Sequence, residues 1–275
     1  MKKRWTAILL LPSLLMITLF LLIPVLRIVL PTIFTKEGAS LKNYAEFFSD
    51  SYFVGVYFRT IRVALLTSFL CIIMALPVSF LISRIRPSKR GVLIAMATFP
   101  LLTNSVVRAF AWINILGTEG LLNQLIQALR LSDKPVKMLY TEGAVIVGQV
   151  YLFLPTMITS LIGVMENIHD ETLEAANSLG ANQTVSFLRI VIPLSMPGVV
   201  VGGVLVFAGA ASTYSTPLML GGNKNMMMST MIYQQAMLLD NWTRASVIAT
   251  VMIITSYFLV GCFNHLADRL DKSGD

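Results

Sequence analysis

The segment Glu174-Ala175-Ala176-Asn177-Ser178-Leu179-Gly180, followed by Ile190-Val191-Ile192-Pro193, is a polar island between two long apolar runs. The sequence predicts a short helix that Asp170 caps and whose first turn carries acidic residues, where they suit the helix dipole. Leu173, Ala176 and Leu179 are predicted to form one apolar face of this helix.

Gly180 stands where a helix ends in a left-handed residue, and a second helix is predicted from about Gln183 to Val191. An ordinary helical hairpin is one interpretation of this segment. Connections longer than about 12–15 residues usually have a function, however. The segment is therefore interpreted as a docking surface for another protein.

The apolar runs on either side of the island set the class of the protein. Of the 275 residues, 56% are hydrophobic and 13% are charged, whereas soluble domains carry about 25% charged residues. The runs are continuous, which favours helices of about 20 residues over a membrane barrel. The sequence predicts an all-α membrane protein with six spans: Ala7–Pro31, Arg62–Ile82, Gly91–Leu116, Ala144–Met165, Gly198–Leu220 and Ala245–Asn264.

The spans divide the chain into three parts. Residues 1–61 hold the first span and an extracytoplasmic segment, and we interpret that span as retained rather than cleaved, because no small-residue cleavage site follows it. Residues 62–264 form a core permease domain of five spans with a cytoplasmic loop at 166–197. Residues 265–275 form a cytoplasmic tail.

Basic residues predict the orientation of the chain. Their totals on the two sides are nearly equal, but the short turn from Ser83 to Arg90 holds four basic residues and no acid. Because basic density in short loops governs topology, both termini are predicted to lie in the cytoplasm. The net charge of +7 fits this membrane pattern and gives no reason to expect nucleic-acid binding.

Candidate chemistry within the spans is sparse. Cys71 and Cys262 have no metal or disulfide spacing, and no phosphate-binding G-x-x-x-x-G-K-[ST] motif occurs. His169 and His265 are the only histidines and neither lies in a span beside a serine, which argues against an intramembrane protease. A secondary transporter stays open as an alternative, although no acid stands at the middle of a span. We predict no enzymatic activity, no catalytic residue and no metal site.

The polar island resembles the E-A-A loop of the permease subunits of bacterial ABC importers. In that pattern a Gly follows four residues after the E-A-A, and I-x-L-P follows later in the chain. The matching residues here are Glu174, Ala175, Ala176, Gly180, Ile190 and Pro193, with Ile192 in place of the usual Leu. The resemblance implies a MetI-like type I importer fold. It also implies that these residues, together with Leu179, couple the permease to a cytoplasmic ATPase.

Further stretches resemble the spermidine/putrescine (PotB/PotH-like) permeases. They are Thr103–Trp112, Leu116–Gly120, Leu139–Thr141 and Thr216–Gly222. The resemblance implies a bacterial importer that lies in the inner membrane. Its protein partners would be a second, PotC-like permease subunit that forms a heterodimer with this chain, two ATPase subunits and an extracytoplasmic substrate-binding protein. ATP and Mg would be bound by the ATPase, with no cofactor on this chain.

Polyamines are the predicted substrates, and opines, other amino compounds, aminophosphonates and ferric iron stay open as alternatives. Aromatic and polar side chains suit a cationic ligand. The candidates for the substrate path or gate are Asn104, Arg108, Trp112, Gln149, Tyr151, Tyr214 and Tyr233. Arg108 is interpreted either as a gate or ion-pair residue or as a cation that snorkels to the membrane surface.

Overall fold

The computed structural model describes residues 11–35 and 38–271. In this part of the chain the structure is helical apart from one two-stranded hairpin, in which β1 (Phe34–Thr35) pairs antiparallel with β2 (Gly38–Ala39). The helices are α1 (Leu11–Ile33), α2 (Lys42–Ser49), α3 (Ser51–Ser83), α4 (Pro87–Leu102), α5 (Ser105–Leu116), α6 (Leu121–Ala128), α7 (Glu142–Met165), α8 (Asp170–Ser178), α9 (Gln183–Leu194), α10 (Met196–Ser212), α11 (Ser215–Gly221), α12 (Met228–Tyr233) and α13 (Trp242–Asp271).

The helices give four to six candidate spans. Four helices, α1, α3, α7 and the Trp242–Phe263 part of α13, are long and apolar enough to cross a membrane unbroken. The number reaches six if each of two bent pairs is one span: α4 meets the α5–α6 stretch at 91°, and α9 meets α10 at 66°. The prediction of an all-α membrane fold is confirmed, and residues 7–10 of the first predicted span lie outside the described residues.

The third span, predicted to run unbroken from Gly91 to Leu116, is instead broken between α4 and α5. Asn104 caps α5 by accepting a hydrogen bond from the Val106 backbone N–H at 2.8 Å. The break leaves carbonyls at the end of α4 without helical partners. Thr103 Oγ1 donates to the Pro100 carbonyl at 2.7 Å, and Arg108 reaches back across the break to donate from Nη1 to the same carbonyl at 2.8 Å, so these side chains replace the missing helical bond.

The fifth span also ends earlier than Leu220, because α10 stops at Ser212. Two side chains donate to carbonyls at this break. Gln149 Nε2 donates to the Ala210 carbonyl at 3.0 Å, and Ser229 Oγ donates to the Thr213 carbonyl at 2.8 Å. The chain then continues as the separate helix α11.

The second span is longer than predicted, since α3 starts at Ser51 rather than at Arg62. Hydropathy placed the boundary at the charged residues. In the structure Arg59 Nε and Arg62 Nη2 donate to Glu142 Oε1 at 3.0 and 2.6 Å. A residue about eighty positions away thus pairs with both cations, and the helix runs through them.

The chain forms two compact units. The first contains residues up to Gly55 together with Met231–Ile254. In it the Phe47 and Phe53 rings pack at 5.6 Å, and the Arg244 guanidinium lies 5.4 Å from the centre of the Phe53 ring. Asn43 ties α2 to the end of α1 by donating to the Thr32 carbonyl at 3.4 Å.

The second unit, Val56–Thr230 with residues from Thr255 onward, contains the main core. Met157, Leu161 and Met165 on α7 are fully buried. Helix α10 packs closely on α7, because glycines face it: a Cβ at Gly209 would lie 2.4 Å from the Phe153 ring. Such close approach between apolar helices is typical of small residues at membrane-helix interfaces.

The contact between α7 and α10 makes a prediction about stability. Gly209→Ala should lower the melting temperature of the purified protein in detergent, because the new methyl group overpacks against an aromatic ring at a cost of about 1–3 kcal/mol. Gly203→Ala on the same helix is the matched control, since its Cβ would meet only Ile72 at 3.9 Å. Equal melting temperatures for the two variants would contradict this packing.

Candidate functional site

The predicted docking segment forms two helices with a defined turn between them. Glu174, Ala175 and Ala176 lie on α8, and Leu179 and Gly180 follow its last residue. Gly180 has φ +89° and donates to the Asn177 carbonyl at 3.0 Å, while Ala181 donates to the Ala176 carbonyl at 3.0 Å. This pair of bonds is a Schellman motif, which satisfies the last carbonyls of α8 and fixes the direction of the chain.

Two interpretations of α8 are corrected. The N-cap of α8 is His169, and Asp170 is the first helical residue. The Asp170 carboxylate therefore pairs with Arg84 and does not cap the helix backbone. The apolar side chains do not share one face: Leu173 packs against the core and Ala176 is half-buried, whereas Leu179 is 90% exposed. The tertiary contact of Leu173 therefore divides the helix into an inner and an outer side.

The second predicted helix is confirmed as α9. Asn182 caps it by accepting from the Val185 N–H at 2.8 Å. The helix widens to a π turn at Phe187–Val191, where Ile192 N–H bonds to the Phe187 carbonyl. Ile190 and Pro193 lie in and after this turn. Because Pro193 has no N–H, the regular α pattern could not continue through it.

Two arginines hold this segment to the turn between α3 and α4. Arg84 Nη1 lies 2.7 Å from Asp170 Oδ1, and Arg90 Nη1 lies 2.7 Å from Glu166 Oε1. The predicted loop at 166–197 and the basic turn at Ser83–Arg90 therefore lie at the same end of the helices. In the sequence these arginines indicate only which side of the membrane the turn lies on. Their contacts with Asp170 and Glu166 could not be predicted from the sequence.

The residues predicted for the substrate path fall in different places. Trp112 and Tyr151 come together, with ring centres 5.7 Å apart in an edge-to-face arrangement. Asn104 and Arg108 lie at the break between α4 and α5. Tyr214 is 46% exposed at the break after α10.

The two remaining path candidates are Gln149 and Tyr233. Gln149 is fully buried, and its Oε1 accepts a hydrogen bond from Thr67 Oγ1 at 3.0 Å while its Nε2 donates to the Ala210 carbonyl. Tyr233 lies in the first compact unit and is 37% exposed.

Arg108 donates hydrogen bonds to two backbone carbonyls and to the Thr103 hydroxyl. Besides Pro100 it reaches the Thr103 carbonyl at 3.5 Å, and within the described residues no carboxylate forms an ion pair with it. Glu142, which could have attracted a cationic substrate, is already paired with two arginines. Within the described part of the chain no group of three His, Cys, Asp or Glu side chains is arranged to hold a metal ion.

The arrangement of helices and loop matches a known family. Residues 51–272 match the family described as the binding-protein-dependent transport system inner membrane component. The chain belongs to this family. It is therefore a multi-pass inner-membrane component of a transport system, and family membership confirms that its role is transport rather than enzymatic catalysis.

Relatives of the chain are named for the transport of different substrates. The chain is 31% identical over 260 residues to the spermidine/putrescine transport system permease protein PotB of Haemophilus influenzae, covering 91% of both chains. It is 27% identical over 218 residues to the molybdenum transport system permease protein ModB of Azotobacter vinelandii, covering 78% of this chain and 93% of that one.

Solved structures show the same fold in ABC importers. A bacterial transporter that imports the acidic polysaccharide alginate matches with a TM-score of 0.81 at 17% identity, over 98% of this chain and 96% of that one. The methionine importer MetNI, in an inward-facing conformation, matches with a TM-score of 0.59 at 14% identity, over 79% and 95% of the chains. The expected MetI-like type I importer fold is confirmed.

Proposed function

We propose that this chain is a permease subunit of an ATP-driven importer of polyamines and that residues Glu174–Pro193 receive the motion of a separate ATPase. The observation that carries the proposal is the geometry of α8. Its inner side is fixed to the core through Leu173, while Leu179 stands 90% exposed at a rigid turn. An exposed apolar side chain on a braced helix suits a groove in a partner protein.

The position of the loop supports the proposed orientation. The 166–197 loop shares one end of the helices with the basic Ser83–Arg90 turn. Short loops rich in Arg and Lys lie on the cytoplasmic side of membranes. Both termini would then be cytoplasmic, and α8 would meet an ATPase on the side where ATP is available.

The proposed partners follow from the type of transport system. A binding protein would deliver the substrate from outside the membrane, as in the alginate transporter, which has been crystallised with its periplasmic protein bound to an alginate pentasaccharide. A second, PotC-like permease would complete the pathway, and two ATPase subunits would bind ATP and Mg. Closure of the ATPases would move α8 and switch the permeases between outward-open and inward-open states.

A polyamine substrate is supported by two observations. The first is the 31% identity to a spermidine/putrescine permease over 91% of the chain. The second is the pair formed by Trp112 and Tyr151, whose 5.7 Å edge-to-face contact leaves Tyr151 37% exposed. Aromatic faces attract ammonium groups by about 0.5–2 kcal/mol, more so where water is excluded.

The coupling proposal predicts the effect of a charge at the exposed leucine. Leu179→Glu should abolish co-purification of the ATPase subunits and lower uptake at least about tenfold, since a carboxylate would be buried unpaired in an apolar groove. Affinity purification from membranes and uptake by intact cells measure the two effects.

Leu179→Met is the matched control for this charge. It keeps an apolar side chain of similar volume at the same exposed position, so a partner groove can still accept it. Uptake and ATPase binding should stay near the wild-type level. If Leu179→Glu also behaves like wild type, α8 is not the docking element.

The substrate proposal predicts a difference between two substitutions of one aromatic residue. Trp112→Leu should raise the apparent KM for spermidine roughly 2- to 30-fold by removing an aromatic face, whereas Trp112→Phe should retain most of the affinity. Uptake of radiolabelled spermidine, with molybdate and amino acids as competitors, measures this. Absence of spermidine uptake by the wild-type transporter, or uptake that molybdate competes for and putrescine does not, would contradict a polyamine substrate.

A further inference from the structure

We infer that Arg84 and Arg90 are positioning residues that transmit the motion of α8 into helices α3 and α4. The inference rests on the proposed function, because it assumes that an ATPase moves α8. It concerns residues outside the segment that resembles the coupling loop. Arg84 lies in the turn between α3 and α4, and Arg90 is the fourth residue of α4; both are distant in sequence from α8.

Arg84 holds the start of α8 through one amino group. Its Nη1 donates to Asp170 Oδ1 at 2.7 Å and to the Ile168 carbonyl at 2.8 Å. The guanidinium lies 5.3 Å from the centre of the Phe80 ring. That ring packs in turn against Phe187 of α9 at 5.4 Å. Arg84 therefore contacts Ile168, two residues before α8, and Asp170, the first residue of α8, while its guanidinium lies against the aromatic pair.

Arg90 holds the end of α7. Its Nη1 lies 2.7 Å from Glu166 Oε1, and its Nη2 donates to the Ser83 carbonyl at 2.7 Å and to the Ile85 carbonyl at 3.2 Å. One guanidinium thus joins three elements: the last residue of α3, the turn after it and the residue that follows α7. The Arg90 side chain is only 20% exposed, which limits screening by solvent.

Together the two arginines fix the joint between α7 and α8. The joint is short, running from Glu166 to Asp170; Arg90 pairs with its first residue, and Arg84 contacts Ile168 and Asp170 near its end. Without these contacts α8 would be joined to the bundle by the backbone and by the packing of Leu173. A push on the exposed side of α8 could then rotate it about the joint and leave α3 and α4 in place.

The neighbouring cations of the same turn provide a comparison. Arg86 and Lys89 are exposed, and among the described residues neither forms an ion pair. If the turn served only to set membrane orientation, the four cations would be equivalent. The structure gives them two different roles, because only Arg84 and Arg90 reach the 166–170 joint.

The test separates transport from ATP hydrolysis in the assembled transporter. Arg84→Gln and Arg90→Gln should bind the ATPase subunits and reach the membrane normally. The amount of substrate transported per ATP hydrolysed should fall by about fivefold or more, which is the effect of a typical coupling free energy between sites. The measurement is spermidine uptake and ATPase rate in proteoliposomes containing the whole complex. Arg86→Gln is the matched control and should keep the wild-type ratio.

Two further variants show whether the ion pair itself is responsible. Asp170→Asn removes the same pair from a side chain that is 75% exposed, so it should lower the ratio without affecting folding. The double variant Arg84→Gln with Asp170→Asn should be no worse than Arg84→Gln alone, because both changes remove one shared interaction. Arg84→Lys, which keeps the charge, should restore part of the ratio.

A wild-type ratio of uptake to ATP hydrolysis in Arg84→Gln, Arg90→Gln and Asp170→Asn would overturn the inference, as would strictly additive effects in the double variant. Failure of the proposed function has a different signature. In that case Leu179→Glu leaves ATPase binding and uptake intact. If Leu179→Glu dissociates the ATPase while the arginine variants behave like wild type, only the inference about the arginines is wrong.

Discussion

The structure depends on one constraint: a backbone carbonyl that a helix break leaves inside the membrane must receive a hydrogen bond from within the protein. Two predicted spans are broken, and each break has its own donors. Arg108 donates to the Pro100 carbonyl after α4. Gln149 and Ser229 donate to the Ala210 and Thr213 carbonyls after α10. At each break these side chains supply hydrogen-bond donors to carbonyls that the helix no longer pairs.

The same constraint gives the polar residues of the spans a structural role. Gln149 is fully buried and joins α3, α7 and α10 through Thr67 and the Ala210 carbonyl. Arg108 is bound to backbone on the α4 side of the break. In contrast, Trp112 and Tyr151 contact each other through their rings. Unlike Arg108 and Gln149, these two aromatic rings are not bonded to backbone carbonyls at a helix break, and ring faces of this kind can attract a cationic substrate.

The sequence predicted the fold class and the approximate positions of the spans, because continuous apolar runs report directly on burial in lipid. It could not place the start of α3, since Glu142 pairs with Arg59 and Arg62 only in the folded chain. Asn104 was a visible N-cap signal, but the break that it starts also needs Arg108 to reach back to Pro100. Local spacing predicted the left-handed Gly180, whereas the burial of Leu173 depends on a distant core.

The central claim is that the exposed end of α8 lies in the cytoplasm and is covered by an ATPase. The most direct measurement labels Leu179→Cys with a membrane-impermeant maleimide, in a Cys262→Ser background because Cys262 is exposed while Cys71 is buried. The cysteine at position 179 should be labelled in inside-out vesicles stripped of ATPase and should not be labelled in right-side-out vesicles. Adding the ATPase back should protect this cysteine from the maleimide. Labelling from the outer side, or labelling that the ATPase does not change, would contradict it.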